Sequence, residues 1–366
     1  NYTDYKSDLF SAFIIKCSRM AKEQGYLGFL TPYVWMFIQS YEKLRQYLFT
    51  KATIQTLIQF EYSAFEEATV PICTFVFKNS YVDKKGCYLR LTDFRGGMEV
   101  QRERALEAIH DHQCGFYYEQ NAKQYSKIQG NPVAYWITDP IVNAFETGEA
   151  LGKLAAPKVG LQTGDVDLFV RKWYECEIDK FSVMTLEYKR CKWFPYNNGG
   201  SYRKWYGNND EVVNWFDNGR QVINHINKAG KHGARPQNRE YYFKPGATWS
   251  AISSGAFSIR LFPSGYIFSN AGMAVFAEVD ILIYIAGFLN SKLAQIFLKV
   301  FNEGLNYNQG DIAKIPILRN SNKTIHIKEL VENNYKIAKA DWDSFETSWD
   351  FKYHPLDCKT ATIVEA

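Results

Sequence analysis

Gln59–Lys78 reads QFEYSAFEEATVPICTFVFK, and the reading of the fold turns on it. Ile72–Phe77 is an apolar, β-branched and aromatic run of strand length, and Ile54–Phe60 is a second one just ahead of it. The polar loop between them carries Tyr62 and Phe65. Towards the N-terminus, Phe37–Phe49 puts Phe37, Tyr41, Leu44 and Leu48 on one helical face, and Tyr26–Leu30 is a short apolar run stopped by Thr31 and Pro32. Residues 8–24 place Leu9, Phe13, Cys17 and Met20 at helical spacing, with Asp8 as the opening cap and Gly25 as the closing one. Helix, buried strand, helix, strand, strand is the tail of an α/β sheet, whose earlier strands these residues do not supply.

Towards the C-terminus, Ser80–Asp93 holds a polar loop and a strand-like YLRL, Met98–His110 a charged helix, and Ala122–Pro140 an irregular stretch. Gly and Ala accumulate between Gly148 and Pro157, which places a domain boundary there. Gln162–Phe268 is punctuated by Gly, Asn and Pro, with a helical period only over 211–226, and is expected to be mostly β. Asp280–Asn302 then follows a 3.6-residue period through Ile283, Gly287, Ser291, Ala294 and Leu298, and Ile327–Lys339 reads as a polar helix.

At 366 residues, 46% hydrophobic and 22% charged, the chain is an ordinary globular protein of two or three domains. The net charge of +4 decides little, but its placement is informative. Lys189–Lys244 holds eleven Lys/Arg against Asp210, Glu211, Asp217 and Glu240, so the remainder of the chain is slightly acidic. A basic segment on a near-neutral body is the pattern of a polyanion-binding module. Seven scattered cysteines, odd in number and never spaced CxxC, argue against a disulfide framework or zinc site and for a reducing cytoplasm. The apolar run Ile281–Leu289 is far shorter than the roughly 20 residues a membrane span needs. His110 and His112 end a charged helix without neighbouring ligands, and His225 and His232 would meet phosphate as readily as metal, so no metal site is expected. Neither Gly96-Gly97 nor Gly199-Gly200 builds a phosphate-cradling loop.

The densest chemistry lies in Lys189–Asp210, KRCKWFPYNNGGSYRKWYGNND, where five cations are interleaved with six rings around an Asn-Gly turn. Two readings stay open on composition: an aromatic hairpin whose rings are core, or a surface for phosphate and base.

GYLGFLTPYVW (25–35) and Gln59–Lys78 resemble the later motifs of the gamma-class DNA amino-methyltransferases, which make N6-methyladenine. GLQTGDVDLFV (160–170), KWFPYNNGGSYRKWYGNND (192–210), FSIRLFPSGYIFSNAG (257–272), GFLNSKLAQIFLKVFNEGLNYNQGDIAKIPI (287–317) and FETSWDFKYHPL (345–356) extend the resemblance over nearly the whole chain. It is strongest to the adenine-specific enzyme of BREX phage-defence systems, then to type IIG restriction–modification enzymes. The resemblance implies an incomplete Rossmann-like α/β methyltransferase domain followed by a mostly β target-recognition domain with C-terminal helices. Its parts would be 1–95 for the later half of the methyltransferase domain, 96–157 for a connector, 158–318 for DNA target recognition and 319–366 for a helical tail.

The implied reaction moves a methyl group from S-adenosylmethionine to an adenine flipped out of double-stranded DNA. Phe65 matches the ring that stacks on the flipped base, and Phe13, more weakly, the apolar residue lining the cofactor's adenine side. The cofactor Gly motif and the Asn-Pro-Pro-Tyr loop belong ahead of Asn1, and Asn131–Tyr135 lacks the second Pro, so the isolated chain is expected neither to bind S-adenosylmethionine nor to methylate. Recognition would fall to Lys192, Arg203, Lys204, Arg220, Lys231, Arg235 and Arg239 on phosphate or guanine, and to Asn197, Asn198 or Gln237 on an adenine edge. A second polar loop at Ser253, Ser254 and Arg260 could also approach DNA. Within the aromatic stretch, Trp193 and Phe194 are expected inside and Asn197, Arg203 and Lys204 outside, so that removing charge at 203 and 204 would weaken DNA binding. The alternatives are a non-catalytic DNA-specificity module and a protein-interaction domain, and other defence-system proteins are possible partners.

Overall fold

The computed structural model describes residues 2–62, 64–65, 70–183, 190–227, 230–253, 255–301, 304–319 and 321–355. Lys189, Ser254 and the 66–69 part of the loop after Phe65 lie outside the described residues. The chain divides into two compact units, 1–147 with 300–302, and 148–299 with 303–366.

The first unit is built from α1 (Leu9–Met20), β1 (Tyr26–Pro32), α2 (Glu42–Thr50), β2 (Thr53–Gln59), β3 (Ile72–Lys78), β4 (Lys85–Arg90), α3 (Gly97–His110), β5 (Tyr117–Asn121) and α4 (Asp139–Thr147). Its sheet runs β1-β3-β2-β4-β5. β3 lies antiparallel between β1 and β2, with Phe75 opposite both Phe29 and Leu57, while β4 runs parallel to β2. Trp35, Leu44, Leu48, Leu57, Phe75 and Phe77 form the core with Ile14 and Ile15. Each such side chain contributes roughly 1.5–3 kcal/mol on burial. Arg45 is 1% exposed; its guanidinium donates to the carbonyls of Trp35 (2.6 Å), Ile38 (2.8 Å) and Gly130 (2.6 Å). Burial lowers its pKa to about 10, which leaves it charged at neutral pH.

Three expectations change here. The helical spacing of Leu9, Phe13 and Met20 is real, but those residues are 75%, 56% and 75% exposed. The inner face is Ser11, Ile14, Ile15 and Ser18, which keeps the same period. Small polar residues can occupy it because the Ser18 hydroxyl is bonded to Asn79 Oδ1 (2.7 Å) and Tyr47 (2.5 Å). Asp8 does open α1, accepting from the Leu9 amide, but the helix ends at Met20 with Ala21 extended, and Gly25 closes a separate turn onto the Lys22 carbonyl. β1, expected to be buried, is an edge strand with Tyr26 and Leu30 exposed.

The second unit comprises β6 (Glu149–Ala150), α5 (Leu151–Leu154), β7 (Ala156–Lys158), β8 (Leu161–Gln162), α6 (Val166–Phe169), β9 (Val170–Lys172), β10 (Trp193–Asn197), β11 (Glu211–Asn214), α7 (Phe216–Asn224), β12 (Arg235–Pro236), β13 (Gly246–Ser250), β14 (Ile259–Phe262), β15 (Ile267–Phe268), β16 (Gly272–Phe276), α8 (Val279–Leu289), α9 (Lys292–Phe301), α10 (Gln309–Ala313), β17 (Pro316–Ile317) and α11 (Ser321–Asp343). Two four-stranded sheets, β15-β10-β11-β9 and β14-β13-β16-β7, share a core of Tyr196, Val213, Trp215, Phe262, Phe268 and Phe276. The whole is a mixed α/β protein of several sheets.

The continuous helix expected over 280–302 is two helices, α8 and α9, bent by 81°. The break falls where the Asn290 side chain acts as a strand neighbour, accepting from the Ile259 amide (3.0 Å) and donating to its carbonyl (2.9 Å). The helical period read over 211–226 resolves into β11 and α7, and α7 begins with Asp217, Asn218 and Gly219 in the left-handed region. No described helix is long and apolar enough to cross a membrane.

Candidate nucleic-acid interface

The aromatic stretch is anchored from within. β10 pairs with β11 antiparallel, Trp193 opposite Asn214, and with β15 parallel. Tyr196 donates to the Leu161 carbonyl (2.8 Å) and is buried; Trp193 and Phe194 are half-buried. The turn that follows needs its glycines: Gly199 and Gly200 have φ of 86° and 110°. The Gly199 carbonyl accepts from Arg260 Nη2 (3.2 Å) and Asn208 Nδ2 (3.3 Å).

This arrangement engages the polar and cationic side chains of the stretch that were expected to face outward. Asn197 is 3% exposed, a correction that follows from its place in β10, where its carbonyl accepts from Ser269 N (3.0 Å). Asn198 donates to Glu211 (3.0 Å). Arg203 pairs with Asp341 (2.8 Å) and lies over the Trp342 ring at 5.0 Å, and Lys204 donates to the Asn290 carbonyl (2.7 Å). Lys192 lies over the Trp193 ring at 5.1 Å. Arg260, read as part of a surface loop, is 2% exposed in β14, and burial, with Arg203 nearby, lowers its pKa to about 10.

A different segment carries the outward charge. Arg220, Lys231, Arg235 and Arg239 are all exposed. Arg220 reaches Asp217 at 3.5 Å from an otherwise solvated position. Arg239 donates to the Asn218 carbonyl (3.2 Å) and lies 5.5 Å from the Trp215 ring centroid, so it and Arg220 converge on the left-handed turn that opens α7. Lys158 and Lys244 lie over the Tyr241 ring at 5.1 and 5.2 Å.

In the first unit, Phe65 is half-buried, edge-on to Phe60 at 5.6 Å, and packs with Phe60, Leu89, Leu91, Ala108 and Phe116. Phe13 stands on the exposed stripe of α1. Asn131–Tyr135 packs into the core: Val133, Ala134 and Tyr135 are fully buried, with the Tyr135 ring stacked on Tyr88 at 4.8 Å and its hydroxyl bonded to Gln59 (2.8 Å). His112 stacks on Tyr117 at 4.0 Å.

Sequence reasoning missed a cavity of about 880 Å³ in the second unit, lined by Phe194, Trp215, Phe216, Phe243 and Tyr266 among others. The available signal was Trp215-Phe216-Asp217-Asn218-Gly219, a turn signature that the helical period obscured.

Residues 1–65 match the Eco57I restriction-modification methylase family. The chain is 33% identical over 97% of its length to the adenine-specific methyltransferase BrxX of Escherichia coli O9:H4 (strain HS), and 31% identical over 96% to the adenine-specific methyltransferase PglX of Lacticaseibacillus casei (strain Zhang). It spans 28% and 30% of those two proteins. The type IIL restriction–modification enzyme MmeI, solved in complex with DNA, shares the fold with a TM-score of 0.58 at 13% identity, covering 96% of this chain and 47% of that one. The DrdV–DNA complex aligns with a TM-score of 0.50 at 10% identity over 92% of this chain and 40% of that one.

Proposed function

We propose, from the premise that this chain is a homologue of the adenine-specific methyltransferases along nearly its whole length, that it is part of a site-specific DNA adenine N6-methyltransferase. On this reading the first unit supplies the later, Rossmann-like part of the methyltransferase domain and the second unit selects the DNA. The complete enzyme transfers a methyl group from S-adenosylmethionine to an adenine extruded from the duplex. Phe65 stacks on that base, its ring held edge-on by Phe60. Phe13 belongs to an exposed apolar stripe suited to the cofactor's adenine side.

The observation that carries the DNA reading is the exposure of Arg220, Lys231, Arg235 and Arg239 within one twenty-residue segment. Phosphate contact by such residues makes affinity fall with salt, and Arg forks are suited to guanine edges. Arg203 and Lys204, tied to Asp341 and Asn290, hold the unit together instead. The test is a salt titration of duplex binding by the 366-residue chain. Affinity falling linearly on a log–log plot is expected, and affinity indifferent to salt contradicts the reading. Calorimetry with S-adenosylmethionine is expected to show no micromolar binding to this chain.

A further inference from the structure

We propose that the aromatic cavity of the second unit is a binding site for a nucleobase with its adjoining phosphate. The inference rests on the reading that this unit engages DNA. At about 880 Å³ the cavity falls within the range of small-molecule sites and exceeds what one base fills.

Its walls combine rings with a few charged groups. Phe194 meets Phe243 edge-on at 5.4 Å, and Trp215 and Tyr266 stand beside them. The charged groups that line it are already engaged: Lys339 with Asp343 (2.5 Å) and Asp350 (2.7 Å), and Asp217 with Arg220. Neither a bare cation nor a bare anion therefore finds an unpaired counter-charge on those residues. A flat neutral ring finds the exposed rings of Phe216 and Phe243 in the lining, with Asn218 and Ser264 to meet its polar edge.

Backbone conformation supports a site built at some cost. Phe243 has φ of 67°, which a bulky side chain seldom adopts, and it is pinned by its amide donating to the Tyr266 carbonyl (2.8 Å) and its carbonyl accepting from Gly265 (3.0 Å). Asp217, Asn218 and Gly219 follow one another at φ of 51°, 55° and 78°. Gly219 packs under Trp215 so closely that a Cβ would lie 2.4 Å from the ring. The two strained turns leave Phe216 and Phe243, 42% and 38% exposed, at the cavity lining. Arg220 pairs with Asp217 and Arg239, from a separate segment, donates to the Asn218 carbonyl, so both cations adjoin two residues of the cavity lining on the side where a phosphate attached to a bound base would be sought.

The source of the base is either an unpaired nucleotide in a DNA strand or a free nucleotide, and one experiment separates them. The 366-residue chain is titrated, with tryptophan fluorescence as readout, against a duplex with one extrahelical adenosine, the same duplex abasic at that position, a fully paired duplex, and AMP. The extrahelical base is expected to improve affinity over the abasic duplex by about tenfold. Phe243→Ala and Phe216→Ala should each erase that difference while paired-duplex affinity and far-UV circular dichroism stay unchanged, and the second variant keeps the test readable should the first unfold. AMP binding with the same Phe243 dependence assigns the site to free nucleotides; a DNA advantage without AMP binding assigns it to a strand. Equal affinity for extrahelical and abasic duplexes with no AMP binding overturns the proposal, as does binding of N-acetyl-phenylalaninamide in place of any nucleotide, which would mark a protein-docking cleft. Should paired-duplex binding prove independent of salt, the DNA reading falls by itself, and the AMP arm alone decides this site.

Discussion

Two basic segments of the second unit differ in how their charged side chains are engaged. Between 190 and 210, each candidate polar or cationic side chain meets a partner or is buried: Asn197 in a strand, Asn198 on Glu211, Arg203 between Asp341 and Trp342, Lys204 on the Asn290 carbonyl. Between 220 and 239, Arg220, Lys231, Arg235 and Arg239 are exposed, Arg220 also reaching Asp217 and Arg239 the Asn218 carbonyl and the Trp215 ring. Composition left the first segment open between hairpin core and DNA surface, and the family resemblance placed recognition residues in both segments. The structure shows rings acting as packing partners of the cations beside them, Trp193 for Lys192 and Trp342 for Arg203.

The contrast can be broken by substitution, and the largest effect is expected at the outer segment. Replacing Arg220, Lys231, Arg235 and Arg239 together by Gln should lower duplex affinity about 10²–10³-fold near physiological salt, with thermal stability almost unchanged, as electrophoretic mobility and melting curves would show. Gly272→Ala acts at the inner segment, where a Cβ would lie 2.3 Å from the Asn197 carbonyl oxygen. It should cost about 2–3 kcal/mol in urea denaturation. Arg203→Ala removes an ion pair and a stacked ring and should cost about 1–2 kcal/mol, with DNA affinity preserved in the fraction that remains folded. Lys192→Gln gives up only a partly exposed ring contact and should stay within about 0.5 kcal/mol of the parent.

How far the sequence could foresee this depends on the range of the determining contact. β2, β3, α3 and α11 were legible because their patterns are local: apolar runs of strand length and helical periods that tertiary contacts do not overrule. The break between α8 and α9 was not, because it depends on Asn290 meeting Ile259, thirty-one residues earlier. On α1 the period was right and the face wrong, since Ser18 becomes an inner residue only once Tyr47 and Asn79 are in place to bond it. The same limit governs the site. Phe65 and the basic segment were visible as types, whereas the aromatic cavity needed Phe194, Trp215, Phe243 and Tyr266 to be brought together from separate stretches.

The division of labour between the two segments is tested most directly by one slope, that of log affinity for duplex DNA against log salt concentration. Three proteins suffice: the parent chain, the outer variant without charge at 220, 231, 235 and 239, and an inner variant with Arg203→Gln and Lys204→Gln. The outer variant should flatten the slope by about 0.9 for each phosphate it no longer neutralises, and the inner variant should keep the parent slope even if it melts earlier. A flattened slope in the inner variant, with the outer one unchanged, would contradict the assignment and return DNA binding to the aromatic stretch.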